Sequence, residues 1–335
     1  MLETMNDSST NTDAPTMRAV RQYEFGGPEV LKEAMVPLPV PDVGEIRIAV
    51  RAAGINPTDC QHRAGGLFLK DLPPTLGWDV SGVVESVGLG VTIFRPGDEV
   101  FGMLPYPYGV GSHAEYVVGP ARSFAPKPAG LDHVRAAALP LASLTAYQAI
   151  VDTAGLRPGR RALIHAASGG VGHLAVQIAK ARGAHVIGTV LGEDRQKFVR
   201  DLGADEVIDN ATTDFAETAD EVDFVLDTLS GDIRSRSLSI LRPDGTMVTT
   251  VPDAAADEVE REAGHGGRVR TIGVQADHAG IKAIADLAAS GALRPQIHAT
   301  FPPARAAEAH AMLESGRVTG KIVLVVEGRE DRNAD

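Results

Sequence analysis

The stretch 162–180, ALIHAASGGVGHLAVQIAK, opens as a short apolar strand, turns on glycines and leaves as a helix. Ala162 to Ala166 is the strand, and Leu174, Ala175, Ile178 and Ala179 carry the one-face apolar spacing of the helix. The turn Ala167-Ser168-Gly169-Gly170-Val171-Gly172 aligns with G-x-G-x-x-G, with Ala167 in the first glycine's place. Gly169 lets backbone approach a pyrophosphate and Gly172 lets the helix pack on the strand. The N–H groups and dipole of the helix start complete an anion site. A strand before the loop and a helix after it is the context that separates a dinucleotide fingerprint from a ligand-free tight turn.

Strand and helix signals continue to alternate downstream. His185 to Val190 reads as a strand, Phe198 to Leu202 as a helix closed by Gly203-Ala204, and Glu206 to Ile208, Asp223 to Asp227 and Thr246 to Val251 as further strands. Alternation of this kind makes a parallel sheet covered on both faces, a doubly wound Rossmann-type domain, here placed at 141–289. Residues 17–140 read differently. Ile46 to Val50 and Val80 to Val87 are β-branched runs bounded by Gly, Pro and Asp, which predicts a β-rich, partly barrel-like domain. The segment 290–330 holds a helix, Ala304 to Ser315, and one apolar strand, Lys321 to Val326. A lone strand cannot bury its faces, so this tail is expected to return to the first domain. Residues 1–16 are polar and read as a disordered tail.

Composition bounds the function. Among 335 residues, 44 acids against 32 bases give a net charge of −12, which argues against nucleic-acid and anionic-membrane partners. No apolar run reaches the ~18–20 residues that span a bilayer, and the N-terminus lacks the basic and apolar regions of a secretory signal. Cys60 is the sole cysteine, so neither an internal disulfide nor a Cys-rich metal site can form, and a cytoplasmic location is expected.

The cofactor's second determinant lies at the next strand's end. NAD sites usually place an acid about 20 residues after the loop, on the ribose 2′-hydroxyl. No acid occurs between Gly172 and Val190, and Gly188-Thr189-Val190 is small and neutral. Arg195 is the candidate partner of a 2′-phosphate, with Lys197 beside it and Glu193 and Asp194 opposing. A merely solvated loop would also carry these four charges. The reading is NADPH.

The segment from Leu144 to Gly203 resembles the medium-chain dehydrogenase/reductase superfamily, and within it the zinc-independent quinone oxidoreductases of the ζ-crystallin group. Supporting stretches are Gly54-Ile55-Asn56-Pro57-Thr58-Asp59, Leu76-Gly77-Trp78-Asp79-Val80-Ser81-Gly82, Arg95-Pro96-Gly97-Asp98-Glu99-Val100 and Gly320-Lys321-Ile322-Val323-Leu324. The resemblance implies a GroES-like β-rich domain around a Rossmann domain. Zinc alcohol dehydrogenases share that fold but place a Cys before the Asp of the first motif and a His-Glu in the second. Here Asn56-Pro57 and Trp78-Asp79 stand there, so no metal is expected. The family analogy puts Asn56 and Thr145 at the nicotinamide end and Lys321 near the cleft, although Asn56 also suits a turn before Pro57 and Thr145 a helix cap. Tyr106 and Tyr108 lie in a Gly/Pro-rich loop, and Tyr108 is taken as the proton-donor candidate. Many relatives carry Tyr after the third strand; here Asn210 takes that place on the adenosine side.

The resulting expectation is a reductase of quinones or α,β-unsaturated carbonyls. The hydride goes to carbon and charge moves to oxygen, so the site must supply geometry, a dry cleft and a donor. A biosynthetic enoyl reductase shares the chemistry, and a non-catalytic NADPH-binding protein is the alternative from another class. Val269 to Val274 is expected as a sheet edge through which two copies pair as a homodimer.

Overall fold

The computed structural model describes residues 15–66, 72, 75–252 and 268–327. The expected tail lies outside these residues except for Pro15 and Thr16, and Thr16 already begins the first strand, β1 (Thr16–Arg21), which pairs antiparallel with β2 (Lys32–Pro37).

A seven-stranded sheet forms around β3 (Glu45–Ile55). Every second side chain of β3 from Ile46 is buried, and Ile46, Ile48 and Val50 are at most 2% exposed, so the run reads as a half-buried strand with one face on the core. Its neighbours are β4 (Asp79–Val87) and β6 (Tyr116–Pro120), and β5 (Glu99–Met103) and β7 (Phe124–Pro126) extend the sheet beyond β4. Helix α1 (Pro57–Gly65) leaves directly from the end of β3. Helices α2 (His133–Ala137) and α3 (Pro140–Tyr147) lead out of this sheet.

The second sheet has six parallel strands: β8 (Arg161–Ile164), β9 (His185–Val190), β10 (Glu206–Asp209), β11 (Val222–Asp227), β12 (Leu241–Thr249) and β13 (Val269–Thr271). Their spatial order is β10-β9-β8-β11-β12-β13, the 3-2-1-4-5-6 order of a Rossmann domain. Ala162, Leu163 and Ile164 are all fully buried, as a central parallel strand covered on both faces requires. Helix α4 (Gly172–Ala181) turns Leu174, Ala175, Ile178 and Ala179 inward, each at most 1% exposed. The chain order reverses between β8 and β11, and the crevice at that point is where open α/β sheets bind ligands.

The chain then passes through α5 (Glu193–Asp201), α6 (Phe215–Thr218), α7 (Asp232–Ser239) and α8 (His278–Ala289), and the tail rejoins the first sheet. β14 (Ile297–Phe301) pairs with β15 (Lys321–Val325), with α9 (Ala306–Glu314) between them, and β15 lies antiparallel to β3 with Ile322 opposite Ile55. That pairing brings Lys321 to the start of α1 and so assembles the site.

Candidate active site

The glycine turn is held from below. Ala166 takes a left-handed backbone, φ 47°, at the end of β8, and Ala167 N–H donates to Thr189 O at 2.9 Å. Ala167 fits in place of the usual glycine because residue 188, across from it, is itself glycine: a Cβ there would come within 2.9 Å of Ala167 Cβ. Gly172 has no such latitude. A Cβ on it would strike Ala166 O and approach the Ala166 carbonyl carbon and Ala167 Cα to 2.8 Å. The turn therefore presents backbone to the crevice at the N-terminus of α4, an anion-binding arrangement.

The tail strand crosses this turn. Gly320 N–H donates to Ser168 O at 2.9 Å, and the Lys321 side chain passes Gly170, whose absent Cβ would sit 3.4 Å from Lys321 Cδ. The ammonium then reaches into the first domain. It donates to Ile55 O at 3.0 Å, to Asn56 Oδ1 and to Asp79 Oδ2 at 3.3 Å. Asn56 Nδ2 donates to the same Asp79 oxygen at 2.9 Å, and Leu141 N–H donates to the other at 2.7 Å. Lys321, Asn56 and Asp79 are at most 3% exposed. A buried carboxylate and a buried ammonium persist only when paired and hydrogen-bonded, and here both are. Of the two amide N–H donors of Asn56, one goes to Asp79, which leaves one for a bound molecule.

Asn56 also opens α1, and its N–H donates to Asp59 Oδ2 at 2.7 Å. Asp59 is fully buried. Burial pushes its carboxyl up to about 7, against the Asn56 N–H and with a contribution from the neighbouring Asp79 charge. The folded state thus binds one more proton than the unfolded chain between about pH 4 and pH 7. Stability is full at the acid end of that window and falls with rising pH by up to about 1.4 kcal/mol per unit. Asp59→Asn should flatten this segment, which urea unfolding at about pH 5 and about pH 7 will read; an unchanged slope would place the proton elsewhere.

The structure brings some of the other candidates to this network and sets others apart. Thr145 is 5% exposed and its hydroxyl donates within α3 to Leu141 O at 2.7 Å, on the same residue whose N–H holds Asp79. Tyr108 is 76% exposed. The tyrosine of that loop that meets site residues is Tyr106, whose hydroxyl lies 3.3 Å from Thr58 Oγ1 and whose ring lies 5.4 Å from Trp78. Thr189 points its hydroxyl into the domain, 3.0 Å from His165 Nδ1, and offers only its backbone to the turn. Ser168, Gly169, Gly170 and Val171 lie together on the turn itself. On the adenosine side, Arg195 is half-buried on α5 and donates to Gly316 O at 3.3 Å, while Lys197 is engaged with Asp201 at 2.6 Å. Asn210 N–H donates to Val190 O, and Asn210 Oδ1 is a buried acceptor with no partner among the described residues. Asp209, which the sequence did not single out, accepts from Gly192 N and Ala211 N at 3.0 Å each and from Gln196. These bonds hold its carboxyl below the usual range and tie the loop around Gly192 and Ala211 together.

Zinc is a poor fit. Among the described residues no group of three or more His, Cys, Asp or Glu is arranged to hold a metal. At the positions where zinc relatives place their ligands stand an amide and a buried indole, with the Lys321 ammonium in contact with the amide.

A Rossmann crevice with a glycine turn, facing a β-domain whose first helix starts at a buried Asn–Asp–Lys network, defines a two-domain oxidoreductase. Residues 42–129 match the alcohol dehydrogenase GroES-like domain and residues 202–324 the zinc-binding dehydrogenase domain. The human quinone oxidoreductase is 33% identical over 336 residues, covering 94% of this chain and 99% of that one. The structure of the quinone oxidoreductase from Coxiella burnetii matches with a TM-score of 0.87 at 34% identity, over 93% of this chain and all of the other. The Escherichia coli quinone oxidoreductase complexed with NADPH matches with a TM-score of 0.80 at 29% identity, over 92% and 99%. The chain belongs to the medium-chain dehydrogenase/reductase superfamily, in its quinone oxidoreductase branch. Among the described residues no helix is long and apolar enough to cross a membrane.

Proposed function

We propose that this protein is an NADPH-dependent reductase of quinones or α,β-unsaturated carbonyls that works without zinc, and that it acts as a homodimer. The observation that carries the reading is Lys321. One side chain spans from the glycine turn to Asn56 and Asp79, so the cofactor turn and the acceptor end of the cleft are held by a single buried cation. When bound, the dihydronicotinamide supplies a hydride to an electrophilic carbon of the acceptor. The chain's own residues do the rest. The turn 168–172 and the start of α4 bind the pyrophosphate. Arg195 binds the 2′-phosphate, aided by the absence of an acid between Gly172 and Val190. Asn56, fixed by Lys321 and Asp79, presents its second amide N–H to a ribose or acceptor oxygen. A donor already fixed in place stabilises charge developing at that oxygen without reorganising. Tyr106, whose hydroxyl burial holds above its ordinary value, stays protonated and reaches the first turn of α1 through Thr58 Oγ1 at 3.3 Å.

The dimer would form through β13, which carries exposed Arg270 and Thr271 at the edge of the parallel sheet. It is shorter than the sequence suggested, ending at Thr271 rather than Val274.

The test is oxidation of NADPH and NADH by the purified protein against a panel of quinones and 2-enones, alongside alcohols with the oxidised cofactors. Turnover of one acceptor class with NADPH is expected, unchanged by a chelator. Alcohol oxidation that depends on added zinc would overturn the reading. Arg195→Ala should raise KM for NADPH about tenfold, the loss of about 1.4 kcal/mol of charge-assisted bonding at a half-exposed site, and leave KM for NADH unchanged. An equal change for both cofactors would remove Arg195 from the 2′-phosphate site.

A further inference from the structure

His173 follows Gly172 on α4 and is fully buried. Its Nδ1 lies 2.8 Å from Gly169 O, on the glycine turn, and its Nε2 lies 3.2 Å from the backbone nitrogen of Gln296. A carbonyl can only accept and a peptide N–H can only donate. Nδ1 therefore carries the proton and Nε2 the lone pair, so these two partners admit one neutral tautomer. Burial keeps the ring neutral. It pushes His173 down to about 4, with the Lys321 charge adding to the effect and the Gly169 and Gly170 carbonyls opposing it.

Gln296 lies on the segment that takes the chain back to the first domain. Gln177, one turn along α4 from His173, fixes that segment: its Oε1 accepts from Arg294 N at 2.8 Å and its Nε2 donates to Arg294 O at 3.0 Å. Gln296 O in turn accepts the Lys321 backbone N–H at 2.9 Å. The N–H that selects the His173 tautomer is thus held in place from both sides. At the other nitrogen, Gly169 O receives two donors from one residue, the His173 backbone N–H at 3.1 Å and the ring Nδ1–H. The Gly169–Gly170 peptide lies between two residues without Cβ, which offer the least resistance to its rotation. In a trans peptide the N–H points away from the carbonyl. Holding Gly169 O towards His173 therefore turns the Gly170 N–H outward, and among the described residues that N–H has no acceptor. Rotated the other way, the peptide would present a carbonyl to an anion.

We propose that His173 is the positioning residue of the pyrophosphate site: its Nδ1–H, directed by the Gln296 N–H on the opposite nitrogen, holds the Gly169–Gly170 peptide with the Gly170 N–H facing the pyrophosphate. The inference rests on the reading of the turn 168–172 as the cofactor turn. His173 acts through that peptide and touches neither cofactor nor acceptor. Its loss therefore falls on ligands that carry a pyrophosphate, NADPH and NADH alike, and spares 2′-AMP, which fills only the adenosine end. The donor matters rather than the volume of the ring. An asparagine amide places an N–H near the Nδ1 position and keeps the bond to Gly169 O. A glutamine amide reaches the Nε2 position instead, meets the Gln296 N–H with its oxygen, and leaves Gly169 O without the side-chain donor.

The experiment titrates NADPH and NADH fluorescence with the full chain and its His173→Leu, His173→Gln and His173→Asn variants, with 2′-AMP as a competitor. In the leucine and glutamine variants Kd for both dinucleotides should rise about tenfold, the worth of one hydrogen bond. The asparagine variant should stay within about threefold of wild type, and 2′-AMP within about twofold in all three. Equal losses in the asparagine and glutamine variants would overturn the role, and so would 2′-AMP affinity that falls in step with NADPH. Where the leucine variant fails to fold, the asparagine–glutamine difference decides. Imidazole nitrogen NMR, with the His173 signals assigned by their loss in His173→Asn, should show Nδ1 protonated and Nε2 bare; the opposite tautomer overturns the proposal. A wild-type protein that binds neither dinucleotide removes the cofactor reading, and one that binds NADPH but reduces no acceptor removes the reductase reading alone. Folded leucine and glutamine variants with wild-type affinity remove only the role of His173.

Discussion

Lys321→Met is expected to cost the fold about 3–5 kcal/mol and to reduce turnover at least about a hundredfold. The substitution keeps most of the side chain's volume but removes the ammonium. Asp79, fully buried, then keeps only the Leu141 N–H and Asn56 amide bonds. A buried carboxylate stripped of its cation pays a desolvation cost that two neutral donors do not offset. Asn56 loses the contact on Oδ1 that fixes its amide, so the donor aimed at the acceptor is no longer held. The two losses separate in the double variant Asp79→Asn/Lys321→Met. Removing both charges should return stability to within about 2 kcal/mol of wild type, since neutral replacements of buried pairs are often close to neutral in energy. Activity should not return, because Asn56 is still unclamped. Urea midpoints at unchanged slope and kcat/KM read the two effects. A single variant as stable as wild type, or a double variant with restored turnover, would deny Lys321 this role.

This network also marks where reading the sequence stops. The Rossmann half was legible because its signals are local. The strand His185–Val190 appears residue for residue, and the helix after the glycine turn buries the four apolar residues its spacing selected. Boundaries slipped where a local signal was given the wrong weight. Helix α5 starts at Glu193 rather than Phe198, with Glu193 and Asp194 in its first turn, where acids complement the helix dipole. Strand β12 starts at Leu241 rather than Thr246, because Pro243, Asp244 and Gly245 look like a turn. The site is a different matter. Asn56 and Lys321 could be named from their motifs, but Lys321 and Asp79 are separated by 242 residues, and only the return of β15 onto β3 brings them together. Tyr106 and Tyr108 are two residues apart in an irregular loop, where no periodicity says which faces inward.

The glycine turn offers the second large effect, and a contrast that tests it. Gly172→Ala should weaken NADPH binding at least about a hundredfold, some 2.7 kcal/mol, and should destabilise the fold by about 1–3 kcal/mol through overpacking. The new methyl would lie 2.8 Å from the Ala166 carbonyl carbon and from Ala167 Cα, all of it backbone. Backbone here cannot yield easily. Ala166 is already in the left-handed region, and Ala167 N–H is tied to Thr189 O. The start of α4 must therefore move outward, and the N–H groups that face the pyrophosphate move with it. Gly170→Ala is the matched control in the same turn. Its methyl would lie 3.4 Å from Lys321 Cδ and 3.7 Å from Gly320 O, both ordinary van der Waals contacts, so affinity should fall less than about tenfold. Fluorescence titration of NADPH with both variants reads the difference. Equal losses would mean that the turn's glycines serve general flexibility, and that the close packing of α4 on β8 is not what aims the anion site.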